Sequence, residues 1–251
     1  MDDYKESLYQ GYFRTHVSRK KARSEKHYNA MRRSFRSYYG HMLQGVGKDA
    51  RVVDLGCGEG LLVAWLGELG FIDTLGIDLS QEMISNGQTR GVGNLEVGDI
   101  TTWLKDQPTA SCDAVFMRNV LEHFTKARIY DLVHDIQRVL KDNGRLILQV
   151  PNAESPFFGR ILYGDFTHET AFNKNSIRQL LVSLQFRYVA CHPVPSRWPS
   201  PAEIVNPFKF FVNLRRLSWK VIQTLIKFAI WSETGNRNVF VTEDILVKAT
   251  K

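Results

Sequence analysis

Residues 52–60, VVDLGCGEG, constrain the fold of this chain more than any other segment. An apolar run leads into three alternating glycines, and a second apolar stretch begins at Leu61. Glycine lets the backbone turn sharply and approach a ligand where any Cβ would collide. The segment therefore predicts a buried strand, a ligand-binding loop and a helix. The G-x-G-x-G spacing differs from the G-x-G-x-x-G that is typical of dinucleotide folds.

From Arg51 onward, short apolar runs alternate with amphipathic stretches, which is typical of a parallel sheet with helices on both faces. We predict strands at 51–55, 72–77, 95–97, 114–117, 146–150, 188–192 and 245–248. The fold class is α/β, with a doubly wound, mostly parallel, seven-stranded Rossmann-like sheet in one domain of 251 residues. Its parts are a helical N-terminal extension (1–46), a cofactor-binding core (47–194), a helical insert (195–236) and the final strand (237–251).

Two acidic residues follow predicted strands at the sheet edge where such folds bind ligands. Asp78, followed by Leu79, comes 18 residues after Gly60 and can accept hydrogen bonds from both hydroxyls of a ribose. Asp99 and Ile100 place a polar side chain beside an apolar one, as the amino edge and the face of an adenine require. Each acid alone could be a helix cap, but in register with the glycine loop they predict a nucleoside-containing ligand.

These motifs, together with residues 113–116, resemble the successive motifs of class I S-adenosylmethionine-dependent methyltransferases, over roughly residues 50–152. The resemblance implies S-adenosylmethionine as cofactor, with Asp54 near its amino group, Asp78 at the ribose and Met83 against the adenine. The cofactor contacts that it implies are Asp54, Gly56, Cys57, Gly58, Asp78, Leu79, Met83, Asp99, Ile100 and Arg118. A nicotinamide-dependent enzyme is the main alternative for this fold, but it would prefer the G-x-G-x-x-G spacing.

The predicted catalytic residues lie in the loop 164–170, GDFTHET. An alcohol acceptor must lose a proton, so a general base is useful, and our candidate is His168 beside the carboxylate of Asp165. Residues 151–181 also resemble methyltransferases associated with polysaccharide and lipopolysaccharide synthesis, in which a D-x-T-H motif follows the fifth strand. This resemblance implies a sugar or glycan hydroxyl, or a sugar phosphate, as acceptor. Alternatively, Asp165 and Thr167 merely close a turn and His168 fills space.

A second candidate for the acceptor chemistry is the segment 119–123, NVLEH. It resembles the E-x-x-E-H of quinone-pathway O-methyltransferases, whose acids and histidine can hold a divalent metal. Asn119 replaces the first acid, and Glu122 with His123 alone makes a poor site for a hard cation. We therefore predict no metal, and expect both residues to stabilise the loop over the cofactor. An O-methyltransferase of a quinone or another small aromatic or lipophilic acceptor is the alternative function, and a non-catalytic S-adenosylmethionine-binding scaffold is an alternative of another class.

The net charge of +7 is concentrated at the two ends of the chain. The predicted helix 207–231 combines dense apolar residues with Arg215, Arg216, Lys220 and Lys227. This pattern suits a helix packed on the sheet, a peripheral contact with an anionic membrane, a dimer contact or a lid over a lipophilic substrate. Without a recognition motif, we predict no nucleic-acid partner. The oligomeric state is left open.

The sequence also bears on where the protein works. Neither a secretory signal nor a spanning helix is recognisable in it. The three cysteines are widely spaced and odd in number, which fits a reducing cytosol. We therefore predict a cytoplasmic protein, placed at the inner membrane surface if the helix 207–231 binds lipid.

Overall fold

A seven-stranded sheet organises the chain in a computed structural model, which describes Leu8 and residues 25–195 and 210–251. The strand order is β3-β2-β1-β4-β5-β7-β6, and β7 runs antiparallel to both of its neighbours. This confirms the predicted doubly wound, mostly parallel sheet. The strands are β1 Val52–Leu55, β2 Thr74–Asp78, β3 Leu95–Val97, β4 Cys112–Arg118, β5 Leu140–Pro151, β6 Arg187–Pro193 and β7 Asp244–Thr250.

Eight α-helices flank the sheet within the described residues. They are α1 Glu25–Tyr39, α2 Leu61–Glu68, α3 Gln81–Thr89, α4 Ile100–Asp106, α5 Lys126–Val139, α6 Phe158–Leu162, α7 Lys174–Ser183 and α8 Phe210–Thr234. The sequence did not predict α4 and α6, because helices of seven and five residues are too short to show a clear 3.6-residue period. The predicted insert is observed as α8, whereas 196–209, including the expected start of this helix, lies outside the described residues.

Buried side chains cover both faces of the sheet, as a parallel sheet requires. On one face α5 and α7 contribute Leu132, Ile136 and Ile177 to a large apolar cluster. On the other face, α1 buries Phe35 and Tyr39 against α2 and the central strands. The helical part of the predicted N-terminal extension is therefore a layer of the fold, at least over α1.

The topology brings the carboxyl ends of four parallel strands to one edge of the sheet. β1 pairs with β2 on one side and with β4 on the other, and β3 follows β2. The strand order reverses between β1 and β4, which is where open α/β sheets bind their ligands. The topology therefore predicts a ligand site at the loops that follow β1, β2, β3 and β4.

None of the described helices combines the length and the apolar character that crossing a membrane requires.

Candidate active site

A cavity of about 600 Å³ opens at the carboxyl ends of β1 to β4. Its volume lies within the usual range for small-molecule sites. Seven of the ten predicted cofactor residues line it: Gly56, Gly58, Asp78, Leu79, Met83, Asp99 and Ile100. The side chains of Asp54, Cys57 and Arg118 lie elsewhere and are described below.

The glycine loop after β1 requires glycine for its backbone and for the space beside it. Gly56, Gly58 and Gly60 have φ angles of 76°, 57° and 70°, in the left-handed region that L side chains rarely adopt. A Cβ at Gly56 would also collide with the side chain of Val120, another residue of the cavity wall. Glycine at position 56 therefore lets the Val120 side chain pack directly on the backbone of the loop in this wall.

Asp78 ends β2 and tethers the glycine loop. Its Oδ2 accepts a hydrogen bond from the Gly58 N–H at 2.8 Å, and its Oδ1 accepts one from the Ser80 N–H at 2.9 Å. Burial raises the pKa of the Asp78 carboxyl, although these two hydrogen bonds act in the opposite direction. The same carboxylate thus positions the loop and lines the cavity.

Asp99 begins α4 as its N-cap. Its Oδ1 accepts hydrogen bonds from the N–H groups of Thr101 and Thr102, both at 2.9 Å. Burial alone would raise the pKa of Asp99, but the hydrogen bonds from these threonines outweigh it, and the pKa is lowered. Asp99 therefore caps the helix and also lines the cavity. Ile100 and Met83 are apolar residues of the same cavity wall.

Asp54 lies in β1, two residues before the glycine loop. It is 1% exposed, and neither of its carboxylate oxygens has a hydrogen-bond partner in the described part of the chain. Burial raises the pKa of Asp54 to about 7, against the effect of the Arg118 guanidinium. A buried carboxylate without a donor suits a cation, such as the amino group of the cofactor's methionine part. The unpaired Asp54 carboxylate, two residues before the glycine loop that lines the cavity, fits S-adenosylmethionine.

Arg118 and Cys57 use their side chains for packing. The Arg118 guanidinium stacks 4.5 Å from the ring centre of Phe35 in α1. The Cys57 thiol packs under β2, where a Cβ on Gly76 would lie 2.8 Å from its Sγ. Neither side chain lines the cavity.

The predicted catalytic loop lies beside the cavity and contacts it through His123. The His123 ring lines the cavity, and its centroid is 4.7 Å from that of His168. The Nδ1 of His123 is 2.8 Å from Thr167 Oγ1, and the Thr167 hydroxyl donates to Asp165 Oδ1 at 2.6 Å. His168 itself does not line the cavity. His123 therefore lies closer to the cavity than the two predicted catalytic residues, His168 and Asp165.

Glu122 connects the two segments that are candidates for the chemistry at the acceptor. Its backbone carbonyl accepts hydrogen bonds from the N–H groups of Glu169 and Thr170 at 2.7 and 3.2 Å. Its side chain is 1% exposed, and burial raises the pKa of its carboxyl well above the usual range. Segments 119–123 and 164–170, interpreted separately in the sequence, therefore form one cluster.

Part of the cavity wall consists of residues that the sequence did not identify as functional. Phe124, Thr125 and Arg128 line it, from the residues that follow the ³₁₀ turn Leu121–His123 and from the first turn of α5. Their spacing carries no motif of its own. The one usable signal was their position directly after β4, at the reversal of the strand order.

Residues 53–148 match a family model described as a methyltransferase domain. Among curated proteins, the chain is similar to the ubiquinone biosynthesis O-methyltransferase of Xanthomonas oryzae pv. oryzae, with 30% identity over 119 residues. The match covers 46% of this chain and 48% of that protein. The chain thus spans about half the length of the curated relatives it matches.

Solved structures resemble the chain over nearly its whole length. A S-adenosylmethionine-dependent methyltransferase from Archaeoglobus fulgidus has a TM-score of 0.64 at 23% identity, with 100% of both chains covered. The magnesium protoporphyrin IX methyltransferase of Synechocystis, solved with S-adenosylmethionine bound, has a TM-score of 0.60 at 15% identity and covers 100% of this chain and 98% of its own. At these identities the likeness concerns the fold. Together with the family match, it confirms the predicted methyltransferase domain and S-adenosylmethionine as its cofactor. The chain has the fold of the class I S-adenosylmethionine-dependent methyltransferases, with the methyltransferase domain itself at residues 53–148.

Proposed function

We propose that the whole chain is a S-adenosylmethionine-dependent O-methyltransferase that methylates a hydroxyl presented beside His123. The observation that carries this proposal is the position of His123, which lines the cofactor cavity and connects through Thr167 to Asp165. The sulfonium methyl is already activated, so the protein has to hold the acceptor oxygen in line and exclude water. As the oxygen–carbon bond forms and the carbon–sulfur bond breaks, the hydroxyl proton leaves.

The proposed catalytic residues are His168 and Asp165, together with His123. The side chain of His168 is 12% exposed, and its ring packs on that of His123. Asp165 is buried and accepts the hydroxyl hydrogen of Thr167, which fixes the surroundings of His123. In this arrangement His123 stands nearest to the acceptor, and His168 and Asp165 support the removal of its proton.

For the acceptor, we propose a hydroxyl of a quinone-type or other aromatic, lipophilic compound as the first candidate. The relative with 30% identity acts in ubiquinone biosynthesis, and residues 119–123 resemble the corresponding motif of such enzymes. The second candidate is a sugar or glycan hydroxyl. It is favoured by the Asp165-x-Thr167-His168 loop, which is folded onto His123 beside the cavity.

Release of S-adenosylhomocysteine from two acceptor classes distinguishes these proposals. We expect turnover with a small ortho-dihydroxybenzene and little effect of His168→Ala, because a phenol ionises near pH 10 and needs little help from a base. With an alkyl pyranoside as acceptor, His168→Ala should slow turnover by about 10²–10⁴-fold. His134→Ala, an exposed histidine on α5, is the matched control. If S-adenosylmethionine binds but neither class is methylated, the proposal fails in favour of the scaffold alternative.

We also propose that α8 provides a peripheral contact with anionic membranes. Its exposed side chains include a run of large apolar residues: Phe211, Leu214, Val221, Ile222, Leu225 and Phe228. Four cations and one acid lie within the same helix, which gives it a net positive charge. An exposed apolar face with neighbouring cations is the pattern of a helix that lies in a lipid interface.

Vesicle flotation tests this contact. We expect the protein to float with vesicles that contain an anionic phospholipid and to stay at the bottom with neutral ones. Replacing Leu225 and Phe228 by Asn should abolish flotation and leave S-adenosylmethionine binding unchanged. Val182→Asn, at a 52% exposed valine on α7, serves as control. If the wild-type protein does not float with anionic vesicles, the apolar face of α8 has another occupant.

A further inference from the structure

A second cavity, of about 560 Å³, lies between α7 and the carboxyl end of β6. Its wall comes from the start of α7, from the last residues of β6 and from the segment before β7. Because β5 and β6 both pair antiparallel with β7, β6 runs in the same direction as β5 and its parallel neighbour β4. The second cavity therefore lies at the same edge of the sheet as the cofactor cavity. β4 and β6 are separated by β5 and β7, which places their ends about 14 Å apart along the sheet.

Basic side chains line this second cavity, and no acidic residue of the described part of the chain does. Lys174 and Arg178 extend from α7, and His192 extends from β6. The Lys174 ammonium group donates a hydrogen bond to the carbonyl oxygen of Asn238. The Arg178 guanidinium donates one to the carbonyl oxygen of Val189 at 2.9 Å. Neither cation forms an ion pair with a described carboxylate, so neutral carbonyl groups leave their positive charges in place.

The charged groups that act on two titratable residues of this wall are all basic. Burial lowers the pKa of His192, and His41 and Lys248 lower it further. The ring centroid of His41 lies 5.4 Å from that of His192. Burial raises the pKa of the Cys191 thiol, whereas the two cations of α7 act in the opposite direction. The second cavity therefore has a positive potential, which a bound anion would reduce.

The same wall offers hydrogen-bond donors that suit a phosphate group. The Arg178 guanidinium uses its Nη1 for a backbone carbonyl, and its remaining N–H groups can bind phosphate oxygens. Lys174 is the first residue of α7, where the helix dipole favours an anion. The side chain of Asn173 caps this helix end, so side chains rather than backbone N–H groups would bind the anion. The side-chain amides of Asn175 and Asn238 are further donors in the wall.

We propose that the second cavity binds a phosphate group of a ligand other than S-adenosylmethionine. A phosphate monoester carries about 1.5–2 negative charges at pH 7, which Lys174, Arg178 and a protonated His192 can balance. A carboxylate carries a single charge and would balance them less well. The cavity is larger than a phosphate group, so part of the attached molecule fits beside the ring of Phe240. Two sources supply this chemistry, a soluble phosphorylated compound and a phospholipid headgroup. The proposal does not depend on the identity of the methyl acceptor.

Calorimetric titration of the full chain with inorganic phosphate tests the site. We expect one phosphate per chain with a Kd of about 1 mM or below at low ionic strength, with or without saturating S-adenosylmethionine. Lys174→Gln and Arg178→Gln should each weaken binding by at least about tenfold, because each removes a charged donor. Arg178→Lys keeps the charge and loses the fork of N–H groups, so its affinity should fall in between. The control is Arg187→Gln, at an exposed arginine of the amino end of β6, which should bind phosphate like the wild type.

Vesicle flotation distinguishes the two sources of the phosphate group. Vesicles of phosphatidylcholine with phosphatidic acid present a phosphate monoester as the headgroup. Reduced flotation of Lys174→Gln, but not of Arg187→Gln, supports a phospholipid headgroup as the ligand. Unchanged flotation of Lys174→Gln, together with weakened binding of inorganic phosphate, supports a soluble phosphorylated compound.

One combination of results would overturn the site. Thermal melting and S-adenosylmethionine binding first establish that each variant is folded. If wild type, Lys174→Gln and Arg178→Gln then bind inorganic phosphate equally, or none of them binds it, and all three float alike, the second cavity is not a phosphate site.

Discussion

Asp78→Ala is expected to weaken S-adenosylmethionine binding by at least about 100-fold and to leave the sheet folded. A hydrogen bond to a charged group contributes about 1.5–3 kcal/mol, so the loss of the two ribose contacts that we propose for Asp78 corresponds to about 10²–10⁴-fold. The variant also removes the acceptor of the Gly58 N–H hydrogen bond, which loosens the glycine loop in the cavity wall. Isothermal titration calorimetry measures the change, and circular dichroism reports the fold.

Two further variants separate the contributions of Asp78. Asp73→Ala removes an exposed carboxylate just before the opposite end of β2 and should leave binding unchanged. Asp78→Asn retains one acceptor oxygen for a backbone N–H and loses the charge, so its affinity should fall between those of wild type and Asp78→Ala. A loss smaller than about tenfold in Asp78→Ala would show that the ribose is bound elsewhere.

Asp54→Asn is expected to stabilise the cofactor-free protein at pH 8 and to weaken cofactor binding. Burial raises the pKa of Asp54 to about 7 in the folded protein, against a value of 3.8 without burial. The folded state therefore holds the proton more tightly than the unfolded state. Stability falls as the pH rises from about 4 to about 7, and the ionised form destabilises the fold by up to about 4 kcal/mol above that range. The neutral amide of Asn does not ionise and is free of this penalty.

Binding should respond in the opposite direction to stability. At pH 8 the contact that we propose between Asp54 and the cofactor's ammonium group loses its negative charge in Asp54→Asn, and affinity should fall about 10–100-fold. Near pH 6, where Asp54 is largely protonated, the two proteins should bind more nearly alike. Melting temperatures and calorimetry at both pH values measure these effects. Asp113→Asn is the contrast, because that carboxylate is paired with Lys141 at 2.7 Å and its loss should not stabilise. A lower melting temperature for Asp54→Asn at pH 8 would contradict the argument.

The cofactor half of the site could be predicted because its signals are local. A strand, a glycine loop and a helix follow one another within residues 52–68, and the acids at 78 and 99 repeat the same arrangement on the next strands. That the side chains of Cys57 and Arg118 pack away from the cavity wall was not visible in the sequence, since their orientation depends on long-range packing. The ring that Arg118 stacks on belongs to α1, far away in the sequence.

The acceptor side depends on contacts that no spacing in the sequence reveals. His123 and Thr167 are 44 residues apart and meet because the loop before α7 folds back onto the turn after β4. Each segment on its own gave only weak evidence for a site, and neither sequence pattern indicated that the two segments are in contact. Only the fold shows that the two segments meet and that His123, rather than His168, lines the cavity.

The position of β7 in the sheet has a consequence for the order of folding. β7 follows β6 along the chain but lies between β5 and β6, and β6 pairs with no other strand in the described part of the chain. On the ribosome, β6 therefore emerges before its partner, with residues 194–243 still to be made. At about 5–20 residues per second, this interval lasts roughly 3–10 s. During that time both β5 and β6 present an unpaired edge, the kind of surface that joins other chains, so the nascent protein is exposed to aggregation during these seconds.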